Sequence, residues 1–379
     1  MNRRECVVMQ KIIVCLLAVC TFSIARAGDV DAGTASTAAN KAVAFLSSQQ
    51  GDAGFFGNKK PSALPGIVGL VVKAIASSPD KPREANNPVL AKAAKYLVGK
   101  QADNGAIAIA GFGNENYNTS LSVIGIAALE NPAYKDVLDK AQKFILTCQK
   151  GEDAGLDKEG GFAYGGESNK PDNSNTGFSL EALKAAGVKE DSPVWKNAVK
   201  FLKRSQDNAE TNDLPGIMKD GDNTGGFIYA PAVADDFGSV KSKRTGKDVP
   251  KPYGNMTYQC VKSLLYCKVD KNDPSMQAAY KWIKSNYSVV ENPGGKGTMG
   301  YYYYVRAFTK AFTAMGDKEL ELADGKKVNW AKDMAAQLLT LQKPDGSFVN
   351  ADPEWMEGDP VLATAYALDA LNDCIAAMK

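Results

Sequence analysis

The sequence predicts an all-α fold in which six helix pairs close into two concentric rings, and three observations carry that expectation. The first is a recurring pattern in which an aromatic is followed five residues later by glutamine, then by a glycine leading to a second aromatic. It runs Phe45/Gln50/Gly54/Phe56, Phe144/Gln149/Gly160/Phe162 and Phe201/Gln206/Gly225/Phe227, with Gln342/Gly346/Phe348 near the end. Weaker copies, Tyr96/Gln101/Gly105 ending in Ile107 and a unit opening at Trp282 with Tyr287 in the glutamine position, bring the count to six. A repeat of roughly fifty residues marks a unit that cannot bury its own apolar face and must stack on its neighbours. The second observation is that two classes of helix alternate, and the third is that strand patterns are scarce.

Residues 1–27 read as a secretory signal. Arg3, Arg4 and Lys11 form its charged start, Ile12 to Ile24 its apolar stretch and Ala25-Arg26-Ala27 its cleavage site. Removal takes away Arg3, Arg4, Lys11 and Arg26 against Glu5, so the formal charge moves from +2 to −1 and implies no nucleic-acid partner. No later stretch offers the roughly 18 to 20 uninterrupted apolar residues of an integral membrane span. The expected location is therefore secreted or periplasmic, with residues 28–379 forming one domain.

Within that domain the outer helices are expected near 33–50, 87–101, 136–150, 192–206, 274–287 and 328–342. They are amphipathic, as in Ala198, Phe201 and Leu202 with lysines between them. The inner helices, near 62–77, 117–131, 175–187, 255–268, 300–315 and 359–378, are apolar almost all round and rich in Ala and Gly, so they are buried on every side. Pro65, Pro171, Pro215, Pro252, Pro293 and Pro360 fall in loops or helix starts. A Gly-, Asp- and Lys-rich insertion at 207–254 stretches the fourth unit, and strands are expected only as short hairpins inside it. The glutamine amide has the donors to satisfy helix-end or neighbouring carbonyls, while the glycine admits a left-handed turn.

Four cysteines follow the signal: Cys148, Cys260, Cys267 and Cys374. Cys260 and Cys267 lie about 10 Å apart along one helix, too far for a disulfide. Buried free thiols are expected, with a long-range bridge such as Cys148 to Cys374 left open.

Gln342-Lys343-Pro344-Asp345-Gly346-Ser347-Phe348 and its copies resemble the QW repeat of squalene cyclases and the related repeats of protein prenyltransferase β subunits, from about residue 33 to 378. The resemblance implies an α6-α6 toroid whose central cavity holds an isoprenoid. The prenyltransferase zinc pattern D-x-x-H-T-x-Y best matches Thr364-Ala365-Tyr366, but Ala363 stands at the histidine position and the chain has no histidine. No metal or other cofactor is expected. The proton-donor motif D-x-D-D of type II cyclases has its nearest match at Val233-Ala234-Asp235-Asp236, which lacks the first Asp and lies in the insertion. Asp235, with Asp236 beside it, is the candidate acid on that resemblance.

Other carboxylates lie near inner-helix starts: Glu115, Asp172, Glu354, Glu357 and Asp359, with Trp355 among the last three. Acids there serve first as helix caps. Tyr117, Tyr258, Tyr302 and Tyr366, with Asp172, Trp355 and Asp359, are the candidate ligand-binding set. In the run Tyr301 to Tyr304, a turn of about 100° per residue prevents all four rings from facing inward. Three functions follow: a binder of an isoprenoid or other apolar, lipid-like molecule; a terpene-cyclase-like enzyme using Asp235 or a rim carboxylate; and a scaffold that docks a protein through Lys241, Lys243, Arg244 and Lys247 of the insertion. Absence of histidine removes Ser-His and Cys-His nucleophile pairs.

Overall fold

The computed structural model describes residues 30–58, 61–80, 84, 87–165, 167–231, 233 and 237–379. The expected signal at 1–27 and the candidate acids Asp235 and Asp236 lie outside the described residues. Six outer–inner pairs follow one another: α1 (Ala32–Ser48) with α2 (Pro65–Ala76), α3 (Pro88–Val98) with α4 (Glu115–Ala128), and α5 (Lys135–Thr147) with α6 (Asn173–Ala185). They continue as α7 (Pro193–Arg204) with α8 (Gly254–Tyr266), α9 (Pro274–Ser285) with α10 (Tyr301–Met315), and α11 (Trp330–Leu341) with α12 (Pro360–Met378). The inner helices touch in the order α2, α4, α6, α8, α10, α12, and α12 returns to α2, so the inner ring closes. Proline at the first turn of α2, α3, α7, α9 and α12 gives up only an N–H that has no partner inside a helix.

Small residues set the approach of neighbouring inner helices. A Cβ added to Gly69 of α2 would lie 2.4 Å from the Leu121 carbonyl oxygen, and one on Gly125 of α4 would lie 2.4 Å from that of Gly69. By length and composition α12 is apolar enough to cross a membrane, but 78% of its apolar window is buried inside the ring. The ring accounts for that apolarity. Cys148, Cys260 and Cys374 are buried and Cys267 is half-buried; all four thiols are unpaired, so no bridge joins Cys148 to Cys374.

The recurring glutamines make one clasp at five seams. Each donates one amide hydrogen bond to the glycine carbonyl of its own turn and a second to a carbonyl near the start of the next outer helix. Gln50 reaches Val89 O at 2.8 Å, Gln101 Val137 O at 2.8 Å, Gln149 Val194 O at 3.0 Å and Gln206 Ser275 O at 2.8 Å. Gln342 reaches Ala38 O of α1 at 2.8 Å, joining the last pair to the first. At the sixth seam Tyr287 donates its hydroxyl to Asp333 of α11 at 2.9 Å. Gly346 turns at φ 88°, and a Cβ there would lie 2.4 Å from Lys41 O of α1, so backbone shape and close approach both require glycine.

A hairpin in the insertion pairs β1 (Ser239–Lys241) with β2 (Asp248–Pro250). A second, β3 (Leu320–Glu321) with β4 (Lys327–Val328), lies between α10 and α11, outside the region where strands were expected. Its Asp324-Gly325 turn, with Gly325 at φ 85°, is the overlooked hairpin signal. In the insertion, Lys247 pairs with Asp220 at 2.8 Å, Lys241 approaches Asp248 at 3.8 Å and Arg244 donates to Gly221 O. Much of the basic spot is thus occupied within its own loop.

One end of the inner ring is filled by charge. Glu181 of α6 receives Lys262 of α8 at 2.7 Å and Arg306 of α10 at 2.5 Å. Arg306 also reaches Asp369 of α12 at 2.9 Å, and Lys310 bridges Asp369 and Asp373, each at 2.9 Å. Three cations and three carboxylates therefore tie four inner helices together. Burial pushes the Glu181 carboxyl up, but Arg306 and Lys262 outweigh it and hold the group well below the usual carboxylate range. Burial pulls the Lys262 ammonium down to about 8.

Gln342→Ala is expected to lower stability by about 1–3 kcal/mol, because the Gly346 and Ala38 carbonyls lose the amide that spans the seam. An unchanged urea midpoint would mean that apolar contacts alone hold the last seam. Arg306→Met leaves Glu181 and Asp369 buried with reduced charge compensation and should cost about 3–5 kcal/mol in the same titration.

Candidate functional site

The first turns of the inner helices meet at the end of the ring opposite the deeper charged residues. There they surround a cavity of about 430 Å³, within the range of small-molecule sites. The third residue is a useful ruler in five of the six inner helices, while α6 contributes its second, Ser174. Ile67, Tyr117, Met256, Tyr303 and Leu362 hold the third position in α2, α4, α8, α10 and α12, and all five line the cavity.

The wall has two sectors. Leu64, Ile67 and Leu70 from α2 and its approach, with Leu362 of α12, form an apolar side. Asn114, Asn118, Ser174 and Asn255 add polar groups on the α4–α6–α8 side, together with Tyr164 and Tyr229. These two tyrosines come from the turns after the clasp aromatics Phe162 and Phe227, each two residues on. Their carbonyls cap the next structural layer: Asn116 N donates to Tyr164 O and Asn173 N to Tyr229 O, both at 2.8 Å. Their hydroxyls meet at 2.7 Å.

Beneath the cavity lies an aromatic layer. Tyr117 packs edge-on against Phe178 at 5.2 Å, Phe178 lies 5.8 Å from Tyr303, and the Tyr117 and Tyr366 hydroxyls are 3.3 Å apart. The Arg306 guanidinium sits over the Phe178 ring at 5.2 Å. At the mouth, Trp355 packs against Phe237 at 5.5 Å, and Phe237 against Tyr253 at 4.1 Å. Trp355 and Met356 are 37% and 39% exposed, and both hold left-handed backbone at φ 52° and 66°. Two successive non-glycine residues in that region carry strain on the order of 1–3 kcal/mol each.

Of the expected ligand-binding residues, the structure brings Tyr117, Tyr366 and Trp355 together in the cavity wall. Asp172 stands one layer behind. It caps α6 through Asn175 N at 2.7 Å, and burial raises its carboxyl pKa against the hydrogen bonds it accepts, which include the Tyr229 and Tyr164 hydroxyls. Asp359 caps α12 through Val361 N and accepts the Ser62 hydroxyl at 2.5 Å, outside the wall. Tyr258 packs among Tyr304, Phe308 and Phe312. Tyr302 packs on Phe348, while its neighbour Tyr303 faces the cavity. The helical turn between adjacent residues explains that exchange.

Glu357 is the carboxylate in the wall. It accepts Tyr303 N at 2.7 Å, Tyr302 N at 3.0 Å and Asn350 Nδ2 at 2.7 Å, which makes it the cap of α10 from a distant loop. Burial raises its pKa to about 7 against those three bonds. Among the described residues no lysine or arginine lines the cavity, and no group of three or more Cys, Asp or Glu side chains is placed to hold a metal.

No family model and no curated protein matches the chain. Solved structures do. A type II terpene cyclase, MstE from Scytonema, superposes with a TM-score of 0.57 at 14% identity, over 92% of this chain and 100% of that one. The fold is the α/α toroid. A variant of that cyclase in complex with geranylgeranyl dihydroxybenzoate gives 0.55 at 14% identity, over 91% and 98%. A family 76 glycoside hydrolase from a bovine Bacteroides thetaiotaomicron strain gives 0.55 at 11% identity, over 89% and 76%. One toroid architecture therefore serves unrelated chemistries, and the function of this chain rests on its own site.

The raised Glu357 pKa sets a pH dependence. Between its ordinary value of 4.5 and about 7 the folded chain holds this proton more tightly than the unfolded chain, so stability falls as pH rises through that window. Glu357→Gln should flatten that part of the denaturation-versus-pH curve; equal slopes for the two proteins would place the Glu357 pKa near 4.5 instead.

Proposed function

We propose that this toroid binds an apolar, isoprenoid-like small molecule outside the cytoplasm, holding it at the N-terminal ends of the inner helices. The observation that carries the reading is the cavity wall, where aliphatic and aromatic side chains dominate and the described residues supply no cation for a phosphate. Tyr117, Tyr303 and Tyr366, which line the cavity, provide aromatic surface against which an unsaturated chain packs. The secretory signal, removed on export, accounts for the location.

Glu357 supports a second reading, a cyclase-like enzyme in which a rim carboxyl protonates the ligand. A carboxyl with a pKa of about 7 is protonated in about half of the molecules at neutral pH. It is also a weak acid, and both of its oxygens already serve α10 and Asn350, so binding is the stronger reading. Squalene and polyprenyl substrates incubated with wild type and Glu357→Gln decide between them. Cyclised product from wild type alone would establish catalysis, and none from either would remove it.

For binding, native mass spectrometry of the purified protein with prenyl lipids is expected to show one retained molecule per chain. Ile67→Trp, which fills the apolar sector, should weaken retention about tenfold or more. Equal retention by the two proteins would put the ligand elsewhere.

A further inference from the structure

Among the described residues that line the cavity, one buried side-chain atom lacks a hydrogen-bond partner. Asn255, on the first turn of α8, is fully buried and lines the cavity. Its Nδ2 is directed to Gly300 O at 3.4 Å, and its Oδ1 is buried without a donor. Other buried polar atoms lacking partners belong to residues such as Asn173, Gln259 and Asn292, which do not line the cavity. A buried acceptor left without a donor is costly, so an orphan on a residue that lines a ligand-sized cavity marks where a ligand donor belongs once the side chain turns toward it.

The charges nearby restrict that donor. An anionic head has no cation in the described wall and would face the Glu357 carboxyl. A cationic head finds that carboxyl already committed to two helix N–H groups and the Asn350 amide. Asp172 is likewise engaged with Asn175. The remaining match is an uncharged donor, and the simplest one on an isoprenoid chain is a hydroxyl, whose O–H satisfies Asn255 Oδ1.

We infer that the ligand is a neutral apolar alcohol, its hydrocarbon body against Ile67, Leu70 and Leu362 and its hydroxyl donating to Asn255 Oδ1. This rests on the binding reading above and names the ligand class for the same cavity. The test uses the full mature chain and measures dissociation constants for geranylgeraniol, its methyl ether, geranylgeranylamine and geranylgeranyl diphosphate. The alcohol is expected to bind about tenfold more tightly than the ether, which accepts but cannot donate. Asn255→Leu should abolish that difference by weakening the alcohol alone. Equal binding of alcohol and ether by wild type would overturn the inference while leaving an apolar cavity. Tighter binding of the amine or the diphosphate would overturn it in favour of a charged head. Failure of all four to bind would instead remove the isoprenoid-binding reading itself. If Asn255→Leu does not fold, the wild-type panel alone decides.

Discussion

Gln342 closes the molecule. An amide carrying two N–H donors spans its own glycine turn and the carbonyl of Ala38, and that second bond joins residues 304 positions apart in sequence. An open stack of helix pairs would leave an apolar face at each end and would need dedicated caps. The closed ring has no ends, so every outer helix can follow the same amphipathic pattern and every inner helix can be apolar all round. The clasp uses backbone carbonyls as acceptors at five seams, and at the sixth, where Tyr287 replaces glutamine, an acidic side chain, Asp333, offers the acceptor instead.

Closure has an electrostatic consequence. All six inner helices present their first turns to one cavity, and each first turn carries N–H groups with no partner inside the helix. The sequence meets this demand in several ways: Asp172 and Asp359 as local caps, Glu357 as a remote cap, and the carbonyls of Tyr164 and Tyr229 as backbone caps. Carboxylates therefore gather near the mouth because helices begin there. Their presence alone does not make an acid catalyst, and among the described carboxylates only Glu357 combines a cap's hydrogen bonds with a place in the wall.

The helices and the clasp were legible in the sequence because both are periodic signals: apolar spacing marks the faces, and glutamine with glycine marks the seams. Strands outside the insertion were missed because β3 and β4 are two residues each, too short to alternate visibly. Within the site, the difference between Tyr302 and Tyr303 is one residue of helical phase, finer than the precision with which the sequence placed the start of α10. Tyr164 and Tyr229 stand two residues beyond the clasp aromatics, a relation that becomes meaningful once the turn geometry is known. The partner-free oxygen of Asn255 depends wholly on packing and leaves no trace in the chain's pattern.

The charged layer and the apolar cavity are compatible because the charges cancel at short range. Arg306, Lys262 and Lys310 face Glu181, Asp369 and Asp373, each cation in contact with at least one carboxylate, so most of the charge is compensated within the layer, although Arg306 is still felt at the wall tyrosines Tyr117, Tyr303 and Tyr366. Phe178 lies between this set and Tyr117, meeting the Arg306 guanidinium with its ring face and Tyr117 edge-on. Removing one charge would expose the cavity to an uncompensated field through a medium of low permittivity, where Coulomb energies are large. With its charges paired internally, this layer offers no free partner to a charged occupant above it, which accords with the wall residues.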